Sequence, residues 1–450
     1  MLNDFLYPYQ QEAVEKSMQM LKKYGAMYNA SDPGTGKTVI SAGVINILQS
    51  TSKVAKTCPM LIVCPTTMVY TWKAELKTFC NINAVVVDST KGIPEEFNIG
   101  VVYIVTYKLL SYTHRVTKES NLAKFLKTTW ALIIADECQA IKSLTALQTT
   151  AVRSVAKCSY YKIFLSGTPF INCSNDAFPV FNTCEPLEYP CYYKFSHRYS
   201  NVVTKTRRTK RGGLIYTTDF VGVKNTKELS DKLRASFFLR YKRSDMESKL
   251  PKLVLSKVYL PPSCEVELEK ELEQQVLAEI EKSGNRHYTA GMAEWRINAA
   301  LRKLPHITEF AEDLLAQNKT IIIFAHHKEV VAKYAEALSD YNPGVITGEV
   351  SSKNRAKIIE EVQSGERKIL IANITAGGVG ITVTAASEVI YAEHPWTYAD
   401  FEQSLSRAYR NGQKNAVTVY SFLVKDTIDE SIYRIINNKK VMHDNLMNKQ

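Results

Sequence analysis

Ala26-Met27-Tyr28-Asn29-Ala30-Ser31-Asp32-Pro33-Gly34-Thr35-Gly36-Lys37-Thr38 is the stretch that decides the fold. A run of strand length enters a turn bearing two glycines, and a helical run from Val39 to Leu48 follows. Strand, tight loop and helix in that order make an anion cradle, because backbone N–H groups close around phosphate oxygens where no Cβ intrudes. Gly34, Thr35 and Gly36 supply that backbone, Lys37 adds a cation, and Thr38 adds a hydroxyl suited to Mg²⁺. The usual first glycine of such a loop is Ser31 here, so the strict pattern fails at one position.

Outward from this loop, the same rhythm continues. Met60–Cys64, Val101–Val105, Ala131–Ala135 and Lys162–Leu165 read as further buried strands separated by helical patterns. Continuous apolar runs of that length belong to parallel sheets covered on both faces. Thr320–Phe324, Gly344–Ile346, Lys368–Ala372, Glu388–Tyr391 and Val417–Tyr420 repeat the pattern in the second half, which has no phosphate loop. Two α/β sheets with one loop between them suggest a site completed across a cleft. Open α/β sheets bind ligands at the carboxyl ends of their strands, where each of these runs meets a polar or glycine-bearing motif.

Two such motifs carry chemistry. Asp136-Glu137-Cys138-Gln139 follows four apolar residues, so Asp136 emerges at a strand end, suited to Mg²⁺, and Glu137 can orient an attacking water. Arg407 and Arg410 are spaced to share one helical face and could stabilise a transferring phosphoryl group. Ser166-Gly167-Thr168 is a candidate relay. Gln10, just after Tyr9, could read an adenine edge.

Composition narrows the class. With 450 residues, two or three domains are expected, and 45% hydrophobic with 23% charged residues reads as a globular protein. No apolar run is long enough for a membrane span, and the amino terminus lacks the order of a secretory signal. Nine cysteines without a C-x-x-C pair suit a reducing compartment and argue against zinc. A net charge of +12 points to a polyanionic partner. Lys205, Arg207, Arg208, Lys210 and Arg211 concentrate that charge between β-branched flanks, Val202–Thr204 and Leu214–Thr218, which favours a protruding β-hairpin over a basic loop. Ser263 to Lys282 has helical spacing and reads as a connecting helix.

Taken in order, these segments resemble the Swi/Snf-type branch of superfamily-two helicases over nearly the full length. Leu6–Gln10 is similar to its Q motif, Asp32–Thr38 to motif I, Cys64–Trp72 to motif Ia and Val105–Tyr107 to motif Ib. Asp136–Gln139 resembles motif II, Leu165–Pro169 motif III, Ile323–His327 motif IV, Thr375–Gly380 motif V and Gln403–Gln413 motif VI. Phe324–His327 and Glu393–Trp396 look most like the annealing-helicase, fork-remodelling subgroup. Two departures stand out: Ser406 replaces an acid before the first motif VI arginine, and Gln139 replaces a histidine.

The resemblance implies two RecA-like domains: 1–190, then a hairpin insertion 191–225, a helical linker 226–305, and 306–450. It implies ATP and Mg²⁺ as cofactors and duplex or branched DNA as partner. Nucleotide contacts would fall to Gln10, Gly34–Thr38, Gly378 and Gln403, with catalysis at Lys37, Asp136, Glu137, Arg407 and Arg410. DNA contacts would fall to Thr66, Thr106, Tyr107, His326, Thr375, Trp396 and the basic hairpin. The expected protein is a monomeric, ATP-driven motor with no membrane role, cytoplasmic in a bacterial or phage-infected cell and nuclear if eukaryotic. The compact size favours a viral or bacterial member. Either it remodels forks and junctions with the hairpin as a wedge, or it tracks along duplex DNA and displaces bound proteins.

Overall fold

A computed structural model describes residues 6–114, 119–168, 170, 173–208, 214–242, 250–260, 290–374, 381–410, 412–425, 427–434 and 436–437. The chain divides into two compact units, the first running to Lys242 and the second beginning at Arg243.

The first unit is built on a seven-stranded sheet. Its strands are β1 (Ala26–Asn29), β2 (Met60–Cys64), β3 (Val85–Val86), β4 (Val102–Thr106), β5 (Trp130–Asp136), β6 (Ser159–Leu165) and, after a hairpin, β9 (Phe238–Leu239). They lie in the order β3-β4-β2-β5-β6-β1-β9, and every pairing is parallel. Alternate side chains feed two cores. Leu61, Val63, Ile133 and Phe164 enter one, while Met60, Ile62, Ile134 and Ile163 enter the other. Each such side chain, fully buried, contributes about 1.5–3 kcal/mol. That two-sided burial is why these strands read as unbroken apolar runs.

The hairpin comprises β7 (Asn201–Arg208) and β8 (Leu214–Val221), antiparallel from Asn201↔Val221 to Arg208↔Leu214. The strands are longer than the β-branched flanks alone suggested. Phe220 packs edge-on against Tyr192, and Lys224 N–H donates to the Tyr199 carbonyl at 2.8 Å, so the base is held to the helix Tyr192–Tyr199. Lys210 and Arg211 lie outside the described residues.

The second unit carries a six-stranded parallel sheet. Its members are β10 (Leu253–Leu260), β11 (Ile321–Ala325), β12 (Gly344–Ile346), β13 (Ile369–Asn373), β14 (Glu388–Tyr391) and β15 (Val417–Val424), ordered β10-β15-β14-β11-β13-β12. Strand β10 pairs with β15 along its whole length. The stretch 226–305, read as a helical linker, therefore holds an edge strand of the second sheet. Its side chains alternate between half-buried and exposed from Val254 to Leu260, so it lacks the apolar run that marks its neighbours. The expected helix at 263–282 lies outside the described residues. No described helix is long and apolar enough to cross a membrane.

Candidate nucleotide and nucleic-acid site

At the carboxyl end of β1 the chain turns through Gly34 (φ 85°) and Gly36 (φ 81°), a left-handed backbone that favours glycine, and the helix Lys37–Thr51 begins. Lys37 Nζ donates to the carbonyls of Ser31 (2.9 Å) and Asp32 (3.3 Å). Burial lowers the pKa of its ammonium, against the pull of Glu137, Asp136 and Asp32. Thr38 sits half-buried in the first turn of that helix.

Gln10 closes over this loop. It is 4% exposed, and its Nε2 donates to the Thr35 carbonyl at 3.3 Å, while Oε1 accepts the Tyr7 N–H at 3.0 Å. A Cβ on Gly36 would stand 2.3 Å from Gln10 Nε2, so only glycine admits this contact. Gly167 approaches from the other side, where a Cβ would meet Pro33 Cγ at 2.7 Å and Lys37 Nζ at 3.4 Å. Gln10, the phosphate loop and Ser166-Gly167-Thr168 thus meet in one place.

Asp136 ends β5 with 4% exposure. Its Oδ2 accepts the Trp72 indole N–H at 2.8 Å, and its Oδ1 accepts the Glu137 N–H at 2.9 Å. Burial, followed by the charge of Glu137, pushes the Asp136 carboxyl up to about 7, while Trp72, Lys37 and the Glu137 N–H pull the other way. A buried carboxylate with a half-buried one beside it, next to a hydroxyl-bearing loop, is a donor set that fits a hard divalent cation.

Glu137 adopts a left-handed backbone (φ 50°), a conformation that costs a non-glycine residue about 1–2 kcal/mol. The Gln139 amide holds its Oε2 at 2.7 Å, and Gln139 Oε1 in turn accepts the Ser166 hydroxyl at 2.8 Å. Gln139, in place of the family's histidine, therefore links the acidic pair to Ser166-Gly167-Thr168.

The expected DNA contacts divide. Thr66 is exposed at the end of β2. Thr106 Oγ1 caps a short helix by accepting the Leu109 N–H at 3.1 Å. Tyr107 is different: it is buried, and its hydroxyl donates to the Asp136 carbonyl at 2.7 Å. It supports the acidic motif instead of presenting a surface.

In the second unit, Glu393 Oε2 accepts the N–H groups of His326 and His327, both at 2.8 Å, and Oε1 meets His327 Nδ1 at 2.6 Å. Arg296 stands 3.8 Å from that carboxylate, donates to the His394 carbonyl at 2.7 Å and stacks on Trp396, 4.7 Å from its ring centre. Burial alone would raise the Glu393 carboxyl. The His327 bond and the Arg296 charge outweigh it and hold the group down at about 2. Trp396 is 7% exposed beneath Arg296, so it shapes the turn after β14 from within and is not an open DNA contact.

Arg407 and Arg410 do not share a helix. The helix Tyr398–Leu405 stops before them, because Ser406 Oγ and Arg407 Nε both donate to the Gln403 carbonyl and divert it from the helical ladder. Arg407 is 9% exposed and also donates to the Ile381 carbonyl at 3.1 Å. Backbone oxygens thus stand where the missing acid would have paired. Arg410 lies nearer the surface and donates to Thr382 Oγ1 at 2.7 Å. Thr375 and Gly378 fall outside the described residues.

Sequence reasoning missed Trp72 as the partner of Asp136, the Arg296–Glu393 contact, and the segment Leu239–Tyr241 beside the phosphate loop. No short motif marks any of them, although Ser31 in place of glycine was a visible signal for the last.

A phosphate loop joined to an acidic pair at the carboxyl ends of parallel strands of one sheet defines a P-loop nucleoside triphosphatase. Residues 9–304 match the SNF2-related domain and residues 302–412 the helicase conserved C-terminal domain, so the chain belongs to the SNF2-related family and carries the ATPase machinery of its DNA-dependent motors. It is 26% identical over 96% of its length to a SWI/SNF-related matrix-associated actin-dependent regulator of chromatin subfamily A-like protein 1 homolog of Caenorhabditis elegans, spanning 61% of that protein. It is 25% identical over 98% of its length to the DNA annealing helicase and endonuclease ZRANB3 of Mus musculus, spanning 41% of it. A putative ATP-dependent helicase/translocase, YwqA of Bacillus subtilis, matches at 25% identity over 98% of this chain and 49% of that one. A Sulfolobus solfataricus SWI2/SNF2 ATPase core in complex with dsDNA superposes with a TM-score of 0.45 at 21% identity, covering 98% of this chain and 92% of that one.

Proposed function

We propose that the protein is an ATP-driven DNA motor that remodels branched DNA, with the basic hairpin as the wedge between strands. The carrying observation is the hairpin: two paired eight-residue strands held at their base to the helix Tyr192–Tyr199, with five basic residues between Lys205 and Arg211 in the sequence. Such a projection is stiff enough to part strands, and its charge suits phosphate contact, which gives affinity without sequence information. The relative named as an annealing helicase supports the same reading.

Thr38 and Asp136 are the residues to hold Mg²⁺, which would offset triphosphate charge. Lys37 binds phosphate, Glu137 orients water and takes its proton, and Arg410, the more exposed of the two arginines, is the one proposed to stabilise a phosphoryl group. Thr66, Thr106 and the His326 loop are the proposed DNA contacts, and the site of action is a cell's DNA-bearing compartment.

The experiment is strand release from a synthetic fork and a movable four-way junction, with Glu137→Gln as control. Deleting Lys205–Gly213 should abolish release while DNA-stimulated ATPase stays within about twofold of wild type. Loss of both together would make the hairpin a binding or folding element. A second reading, supported by the relative named as a helicase/translocase, is tracking along duplex DNA without strand separation. Triplex displacement without fork release by the wild type would select it.

A further inference from the structure

Ser31, the residue that breaks the phosphate-loop pattern, is fully buried, and its Oγ accepts the backbone N–H of Tyr241 at 3.0 Å. That contact belongs to a longer zip. The N–H groups of Tyr28, Ala30 and Asp32 donate to the carbonyls of Phe237, Leu239 and Tyr241 at 2.8, 2.8 and 3.0 Å. The parallel ladder of β1 with β9 thus continues past the end of the sheet, up to the mouth of the loop. Arg240 closes it: one guanidinium nitrogen donates to the Ala30 carbonyl at 2.6 Å, the other to Asp32 Oδ1 at 2.8 Å. With side chains 10% and 20% exposed, the Arg240–Asp32 pair is partly shielded from solvent and worth more than a surface pair.

The groups so fixed are those that hold Lys37, whose ammonium donates to the carbonyls of Ser31 and Asp32. Directly after Lys242 the chain passes into the second unit. We propose that Leu239–Tyr241, the exit segment of the first unit, is a positioning element for the nucleotide. Ser31 replaces glycine because its hydroxyl anchors this segment, and ATP affinity depends on the segment remaining zipped. The proposal rests on the ATPase assignment.

A glycine at position 31 would leave the Tyr241 N–H without its side-chain acceptor, and an asparagine at position 32 would keep the shape but lose the charge that Arg240 meets. Both changes spare the core, so the variants should fold.

The test is titration of full-length wild type, Asp32→Asn, Arg240→Lys, the Asp32→Asn/Arg240→Lys double variant and Ser31→Gly with a methylanthraniloyl-labelled ADP, alongside KM and kcat for ATP. Asp32→Asn and Arg240→Lys should each weaken binding about tenfold and raise KM in step, with kcat changed less, and the double variant should be no worse than either single one. Ser31→Gly should weaken binding about threefold even though it restores the usual glycine. Unchanged affinity in Asp32→Asn and Ser31→Gly, or a fall in kcat with KM constant, would overturn the proposal. A wild type that bound no labelled ADP would instead sink the ATPase assignment itself.

Discussion

Two buried carboxylates, one in each unit, sit at or just past the carboxyl ends of parallel strands and meet opposite fates. Asp136 ends β5, receives two N–H donors, and is still pushed up to about 7. Glu393, just past β14, receives the N–H groups of His326 and His327, a His327 ring contact and the charge of Arg296, and is held at about 2. The sheets are alike, so the fold does not make the difference. Partners do. In the second unit the carboxylate is matched by a protein charge and a ring contact; in the first, Trp72, Lys37 and the Glu137 N–H do not outweigh burial and the neighbouring Glu137. A strained, under-neutralised site beside a phosphate loop is what a nucleotide-and-metal pocket requires, whereas a closed network makes a rigid support.

This contrast is best broken by neutralising each acid in turn. On the role proposed for Asp136, Asp136→Asn should cost ATPase activity about 100-fold or more. Melting of the metal-free protein should stay level or rise, because a raised carboxyl pKa means the ionised form burdens the fold. A steady-state assay with differential scanning calorimetry reads both effects. Glu393→Gln should do the reverse, destabilising by about 3–5 kcal/mol as the buried Arg296 loses the Glu393 charge. A Glu393→Gln protein that melted like wild type would show the network to be dispensable.

Acid sharpens the comparison further. A carboxyl held low in the folded state adds stability above its unfolded value, and that stability is lost as pH falls toward the folded value. The Glu393 contribution should therefore be full above the unfolded value of 4.5 and disappear on the way down to about 2. Wild type should lose its advantage over Glu393→Gln across that interval in chemical-denaturation curves. The smallest effect expected is from Trp72→Phe, which removes one charge-assisted bond to Asp136 and should cost about 1.5–3 kcal/mol, measured by urea unfolding. A cost within error would mean that Asp136 is held by Glu137 N–H alone.

Legibility followed burial. Strands such as Met60–Cys64 and Glu388–Tyr391 announced themselves because both their faces are covered, and the boundaries read from sequence match. Strands β3 and β9 are two residues long, and β10 has one wet face, so none offers an apolar run. At the site, the loop and the acidic pair were legible because backbone chemistry dictates their residue types. Their partners were not. Trp72 lies 64 residues from Asp136, and Arg296 lies 98 residues from His394; neither pair leaves a local pattern. Tyr107 and Trp396 carry the residue types of ligand contacts but face inward, since an aromatic ring serves packing as readily as recognition. The arginines of the last motif share a spacing but not a helix, because side-chain bonds to the Gln403 carbonyl end the helix first.

The zip at the phosphate loop also sets an order of events during synthesis. Asp32 and Arg240 are 208 residues apart in the chain. At about 5–20 residues per second on the ribosome, that interval lasts roughly 10–40 s. Throughout it the nascent sheet has an open edge at β1, the strand that carries the loop. Completion of the nucleotide grip is thus a late step in the birth of the first unit, after the hairpin has already emerged, and premature termination anywhere before Arg240 yields a chain with an unzipped loop.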